Sequence, residues 1–130
     1  MSALSDHAEK LVLDWLMTTG TAARPTTWFV ALYTAAPSDS GGGTEVSAGG
    51  YSRKSVTFNA ASTPGGATSN SGVVTWTASG AAFGTVTHVG ILDASTSGNL
   101  LWHGALSASK TVNDGDTIQF AAGNLTLTLA

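Results

Sequence analysis

The chain has no cysteine. Disulfides, thiolate metal sites and a cysteine nucleophile are therefore excluded, and the redox compartment stays open. Charge is scarce, with 10% Asp, Glu, Lys and Arg against about 25% in ordinary globular domains. Five basic and eight acidic residues leave a net charge of −3. No basic cluster exists to neutralise a phosphate backbone, which argues against nucleic-acid binding. No apolar run approaches the ~20 residues of a membrane span. The apolar stretch Leu11 to Met17 is broken by Asp14 and preceded by Asp6 and Glu9, unlike the h-region of a signal peptide. The expectation is a protein that is made and kept soluble, and off membranes, at least until it joins a partner.

What remains is rich in Thr, Ser, Gly and β-branched residues, over a length of 130 residues that suits one domain, 1–130, with a core. A helix is expected over about 4–18. Ser5 can cap it, Asp6 and Glu9 favour its dipole, and Ala8, Leu11, Val12, Trp15 and Leu16 recur at helical spacing. Gly20 then ends it. Two readings of this helix stay open: it packs on a sheet, or it docks on a neighbouring subunit, the second favoured if Trp15 is exposed.

Everything from about 26 to 130 reads as β. TWFVALYT (27–34) is a continuous apolar run, as a central strand requires. RKSVTF (53–58) puts Lys54, Val56 and Phe58 on one face. GVVTWTA (72–78) follows a Pro-Gly-Gly turn. TVTHVGIL (85–92) divides into Thr85, Thr87, Val89 and Ile91 against Val86, His88, Gly90 and Leu92. NLLWHGAL (99–106) is a strand, KTVN (110–113) a short edge strand, and Asp114-Gly115 a turn into DTIQFAA (116–122). NLTLTLA (124–130) sets Leu125, Leu127 and Leu129 on one face. Seven or eight short strands without βαβ rhythm predict a mainly β chain: a single antiparallel β-sandwich or jelly-roll-like domain with one N-terminal α-helix.

Site chemistry is thin. The Gly41-Gly42-Gly43 run lacks the spacing of a phosphate loop and no helix follows it. His88, His103 and Asp93 offer ligand types for a metal, but their strand neighbours are apolar, so backbone-bonded histidines are the expectation. NDGD (113–116) lacks the spacing of a calcium loop. No G-x-S-x-G elbow occurs, and the carboxylates outside the helix, Asp39, Glu45, Asp93, Asp114 and Asp116, fall in loops or at turn edges. No enzyme, no metal and no cofactor are expected. Trp28, Trp76 and Trp102 are expected in the core.

LYTAAPSDSGGGTEVSAGGYSRKSVTF, GGATSNSGVVTW, GTVTHVGILDASTSGNLLWHGAL and KTVNDGDTIQFAAGNLTLTL, together with SDHAEKLVLDWL, resemble a family of small tailed-bacteriophage virion proteins. The resemblance covers nearly the whole chain. Members carry tail-fibre or minor-tail labels, and others resemble head decoration, or cement, proteins. It implies a virion structural protein. With no coiled-coil heptads and no shaft repeat, the expected role is capsid decoration: dimers or trimers binding the major capsid (coat) protein on the shell surface. A tail-fibre or tail-tip component for host recognition is the alternative. The expected contact residues are Trp15 on the helix, Asp39, Gly41, Gly42, Gly43 and Glu45 in a glycine-rich arm (about Pro37 to Gly50), and Tyr51, Arg53 and Lys54 just past it. That arm is expected to order only in the assembly. Deletion of residues 38–48 is accordingly expected to spare the fold.

Overall fold

The computed structural model describes residues 2–62 and 65–129. Chain order is β1 (Ser2–Leu4), α1 (Asp6–Met17), β2 (Phe29–Ala35), β3 (Thr44–Glu45), β4 (Lys54–Ser55), β5 (Ala67–Ser69), β6 (Val74–Thr77), β7 (Gly84–Leu92), β8 (Leu100–Val112), β9 (Thr117–Phe120) and β10 (Thr126–Thr128). The main sheet runs β1-β8-β7-β2-β3, and β4 shares the β2 edge with β3. The pairs β6–β9 and β5–β10 form a second layer, and every pairing is antiparallel. The chain is mainly β with one helix, as its turn spacing predicts.

Alternation on β2 fixes the two faces of the main sheet. Val30 and Leu32 point inward, where they join Val89 and Ile91 of β7 and Trp76 and Ile118 of the second layer in the main core. Ala31 and Tyr33 point outward and pack with Leu92 and Leu100 in a smaller cluster. Gly90 makes that outer cluster possible. A Cβ there would stand 2.9 Å from both the Tyr33 ring and Leu100 Cδ1.

The alternation expected on β7 fails at its middle. Register shifts between Val86 and His88, and Val86 lies in the main core beside Val89 and Ile91. One bulged residue, Thr87, exchanges the faces of everything before it. The partner strand also bulges: Val86 pairs with Lys110 but His88 with Ala105. NLLWHGAL and KTVN are therefore one long strand, β8, and KTVN is not a separate edge strand. Asp114-Gly115 does form a turn, closed by Asp116 N–H donating to Asn113 O at 2.9 Å. It crosses between layers instead of closing a hairpin, since β8 pairs with β7 and β9 with β6.

RKSVTF is regular strand only at Lys54 and Ser55. Val56 is buried while Lys54 is exposed, so the two do not share a dry face. Trp76 is core, at 2% exposure, and Trp28 and Trp102 pack against that core from its margin. Asn70 is wholly buried and satisfied: its Nδ2 donates to Gly72 O and Ala121 O, and its Oδ1 accepts from Leu125 N.

Candidate functional site

The helix is capped at its N-terminus as its sequence dictates, but it ends at Met17 with an extended Thr18 as C-cap, and Gly20 does not take the left-handed conformation expected of it. Ser5 Oγ accepts from Ala8 N at 3.2 Å and donates to Leu100 O, and Ser5 N–H donates to Leu101 O at 2.9 Å. These bonds fasten the first turn of α1 to β8, and Ala8 is buried. The hold weakens along the helix. Leu11 and Val12 are half-buried, whereas Leu13, Trp15, Leu16 and Met17 are 60–75% exposed. The stripe that suggests packing thus docks only at its N-terminal end. Leu13 and Met17 lie off that stripe, and their apolar character was the available signal that a second surface exists.

Beside the first turn of α1, the outer face carries a groove of about 700 Å³ between the glycine-rich segment and the 93–99 turn. Its wall is a hydrogen-bonded network. Glu45 accepts from Arg53 Nε and Nη2, both at 2.9 Å, and from the Tyr51 hydroxyl at 2.7 Å. The Tyr51 oxygen in turn accepts from Leu32 N–H at 3.1 Å. Arg53 Nη1 donates to Ala94 O and Ser97 O at 2.9 and 2.7 Å. Asp93 closes the same turn by accepting from the backbone and side-chain N–H groups of Asn99. One guanidinium therefore ties β3 to the turn between β7 and β8 in a planar, bidentate geometry that a lysine could not reproduce.

These contacts set the proton affinities. Burial alone would push the Glu45 carboxyl up, but hydrogen bonds from Arg53 and Tyr51, with the cation beside it, hold it below its ordinary range. Hydrogen bonding to Glu45 raises Arg53 further. Burial, then donation to the Glu45 carboxylate, pushes the Tyr51 phenol far up. Burial, then the nearby Glu45 charge, raises Tyr33. For Asp93 burial is again outweighed, here by the Asn99 donors, and the carboxyl is lowered.

The structure brings most of the expected contact residues together. Asp39, Gly41, Gly42, Gly43, Glu45 and Arg53 line the groove, with Tyr51 behind it through Glu45. They do not form a free arm. Ser38 and Gly41 exchange two backbone bonds of 2.9 Å, Asp39 O accepts from Asp6 N–H, and His103 Nε2 donates to Asp39 Oδ1 at 2.7 Å. Val46 is buried. Gly43, at φ +76°, lies so close to Ala35 and Pro37 that a Cβ would meet their backbone at 2.8 Å. The segment is thus folded back on the sandwich without a partner, which corrects the expectation that it orders only in the assembly.

Arg53 is corrected as well. Its side chain is 10% exposed and its donors are used internally, so it is not available as the contact residue expected. Lys54 and Trp15 lie apart from the groove, and both are exposed. Spacing gave no sign of His103, Ala94 or Ser97 as partners, because each meets its counterpart more than forty positions away in the chain, and Asn99 meets Asp93 within one turn.

His88 Nδ1 bonds to the Thr87 hydroxyl and not to backbone. Among the described residues no three His, Asp or Glu side chains converge in a way that could hold a metal ion. No helix among them is long and apolar enough to cross a membrane.

The groove's wall is thus a β-sheet margin whose Glu45, Arg53 and Asp93 are spent on fixing neighbouring segments. Residues 3–128 match the family of the podophage GP4 fiber I protein gp80, and the chain belongs to that family of phage virion proteins. A search of curated proteins returned no match.

Proposed function

We propose that the chain is a non-enzymatic structural subunit of the podophage fibre apparatus that joins the virion through α1. The observation that carries this reading is the run of exposed apolar side chains on α1, with Trp15 at 72% and Met17 at 75%. Scattered exposed apolar residues are ordinary, but four between Leu13 and Met17, within about one and a half turns, mark an interaction surface. The fibre description of the family favours the fibre over head decoration, which rested on the lack of heptads and shaft repeats. Asp39, Gly41 and Gly42 on the rim of the folded-back segment, and Lys54 on the β4 edge, offer further polar contacts to coat or fibre neighbours. The test is incorporation into particles. Phage grown with only a Trp15→Glu chain should lack the protein, whereas immunogold on wild-type particles should give few grains, clustered at the tail. Abundant grains spread over the head would establish decoration, and full incorporation of the Trp15→Glu chain would overturn attachment by α1.

A further inference from the structure

A second groove, of about 600 Å³, opens between the two layers where β1 stops covering β8. The last β1 pairing is Ser2 with Gly104. Beyond it, Ala105–Ser109 of β8 have no strand on that side among the described residues. The groove has an apolar floor of Ile91, Trp102, Leu106, Phe120 and Leu127, with Ser107, Gln119 and Asn124 among its polar liners. Its volume is in the ~300–1,000 Å³ range of cavities that bury a ligand. Its ionisable lining groups are His103, whose imidazole is held by Asp39, and Lys110, whose Nζ donates to Thr117 O at 2.6 Å, and no carboxylate side chain lines it.

The exposed half of α1 is the complement of this groove. It offers an indole and three aliphatic or thioether side chains. Its helix carries Asp6, Glu9 and Asp14 against one lysine, Lys10, already paired with Asp14. We propose that α1 of one copy seats Trp15 and Leu16 in the inter-layer groove of a second copy, with the acidic helix against Lys110. This inference rests on the reading of α1 as the attachment element and names what covers it. Helix-in-groove docking needs a short apolar face on one side and a trough on the other, and one chain supplies both. Pairing α1 with α1 would oppose like charges and leave the trough open. Because the two surfaces differ, the contact is head-to-tail and builds a ring or a filament.

Sedimentation velocity on the full chain tests this. The wild type should form concentration-dependent oligomers. Trp15→Glu spoils the helix and Leu106→Glu spoils the groove, so each alone should be monomeric. An equimolar mixture should give a capped dimer, since it holds one intact helix and one intact groove. Leu106 is half-buried, so Lys110→Glu, at an exposed position, serves as a second groove variant and should weaken association at least several-fold at low salt. A wild type that stays monomeric to its solubility limit would overturn the proposal. So would oligomers that need Trp15 but tolerate both groove variants. A monomeric wild type together with loss of Trp15→Glu from particles would sink self-pairing alone and leave attachment by α1 standing.

Discussion

Glu45 is the residue on which the outer face turns, since it accepts from two side chains that hold separate segments. In an unfolded chain its carboxyl titrates at about 4.3, and in the fold it is held lower. The unfolded state therefore takes up the proton first as pH falls. The stability that Glu45 contributes is complete above the ordinary carboxylate range and is lost as pH drops through 4.3 toward the lower folded value. Charge-assisted hydrogen bonds are each worth about 1.5–3 kcal/mol, and the side chain is 26% exposed. Glu45→Gln keeps the shape and loses the charge. It should cost about 2 kcal/mol at pH 7 and much less at pH 3, read from urea midpoints across pH. An equal loss at both pH values would place the contribution in packing instead. Asp93 shifts in the same direction and should leave a residual acid slope in that variant.

At the scale of elements, α1 can be read from the sequence because capping and 3.6-residue spacing are local. Ser5 caps it, and Asp6–Met17 follow. How far it docks is a tertiary matter, and the stripe could not show that Trp15 and Leu16 are left exposed. On β7, period-2 reading assigns faces correctly only from His88 onward, because the bulge at Thr87 answers to an insertion in β8, a partner some twenty residues away. The pairing of His103 with Asp39 spans 64 positions and has no local signature at all. The cap itself is testable. Ser5→Ala removes an acceptor for Ala8 N–H and a donor to Leu100 O. Caps are worth about 1 kcal/mol, so amide exchange in α1 should quicken roughly 5-fold by local opening while β2 and β7 hold their protection. Equal quickening in α1 and the sheet would mean that the helix opens only with the whole domain.

For the molecule as a whole, the glycine-rich stretch changes from appendage to component. Residues 38–48 include the Asp39 contact to His103, the Glu45 anchor of Arg53, the β3 pairing with β2 and the buried Val46. Removing them would leave the largely buried Arg53 side chain without its carboxylate, and stripping one partner from a buried pair costs about 3–5 kcal/mol. Loss of buried Val46 adds about 1 kcal/mol or more. Together these approach the 5–15 kcal/mol that holds a typical domain. The deletion chain should therefore lose its cooperative thermal transition or melt tens of degrees lower (about 4 °C for each kcal/mol), against the expectation from sequence that the fold survives. At a concentration dilute enough for the wild type to be monomeric, Trp15→Glu, on a side chain 72% exposed, should melt with the wild type. If the deletion chain also melts with the wild type, the segment is an arm after all, and contact with the virion could run through it. If it collapses while Trp15→Glu is unaffected, contact through α1 is separable from folding, and contact through the loop is not.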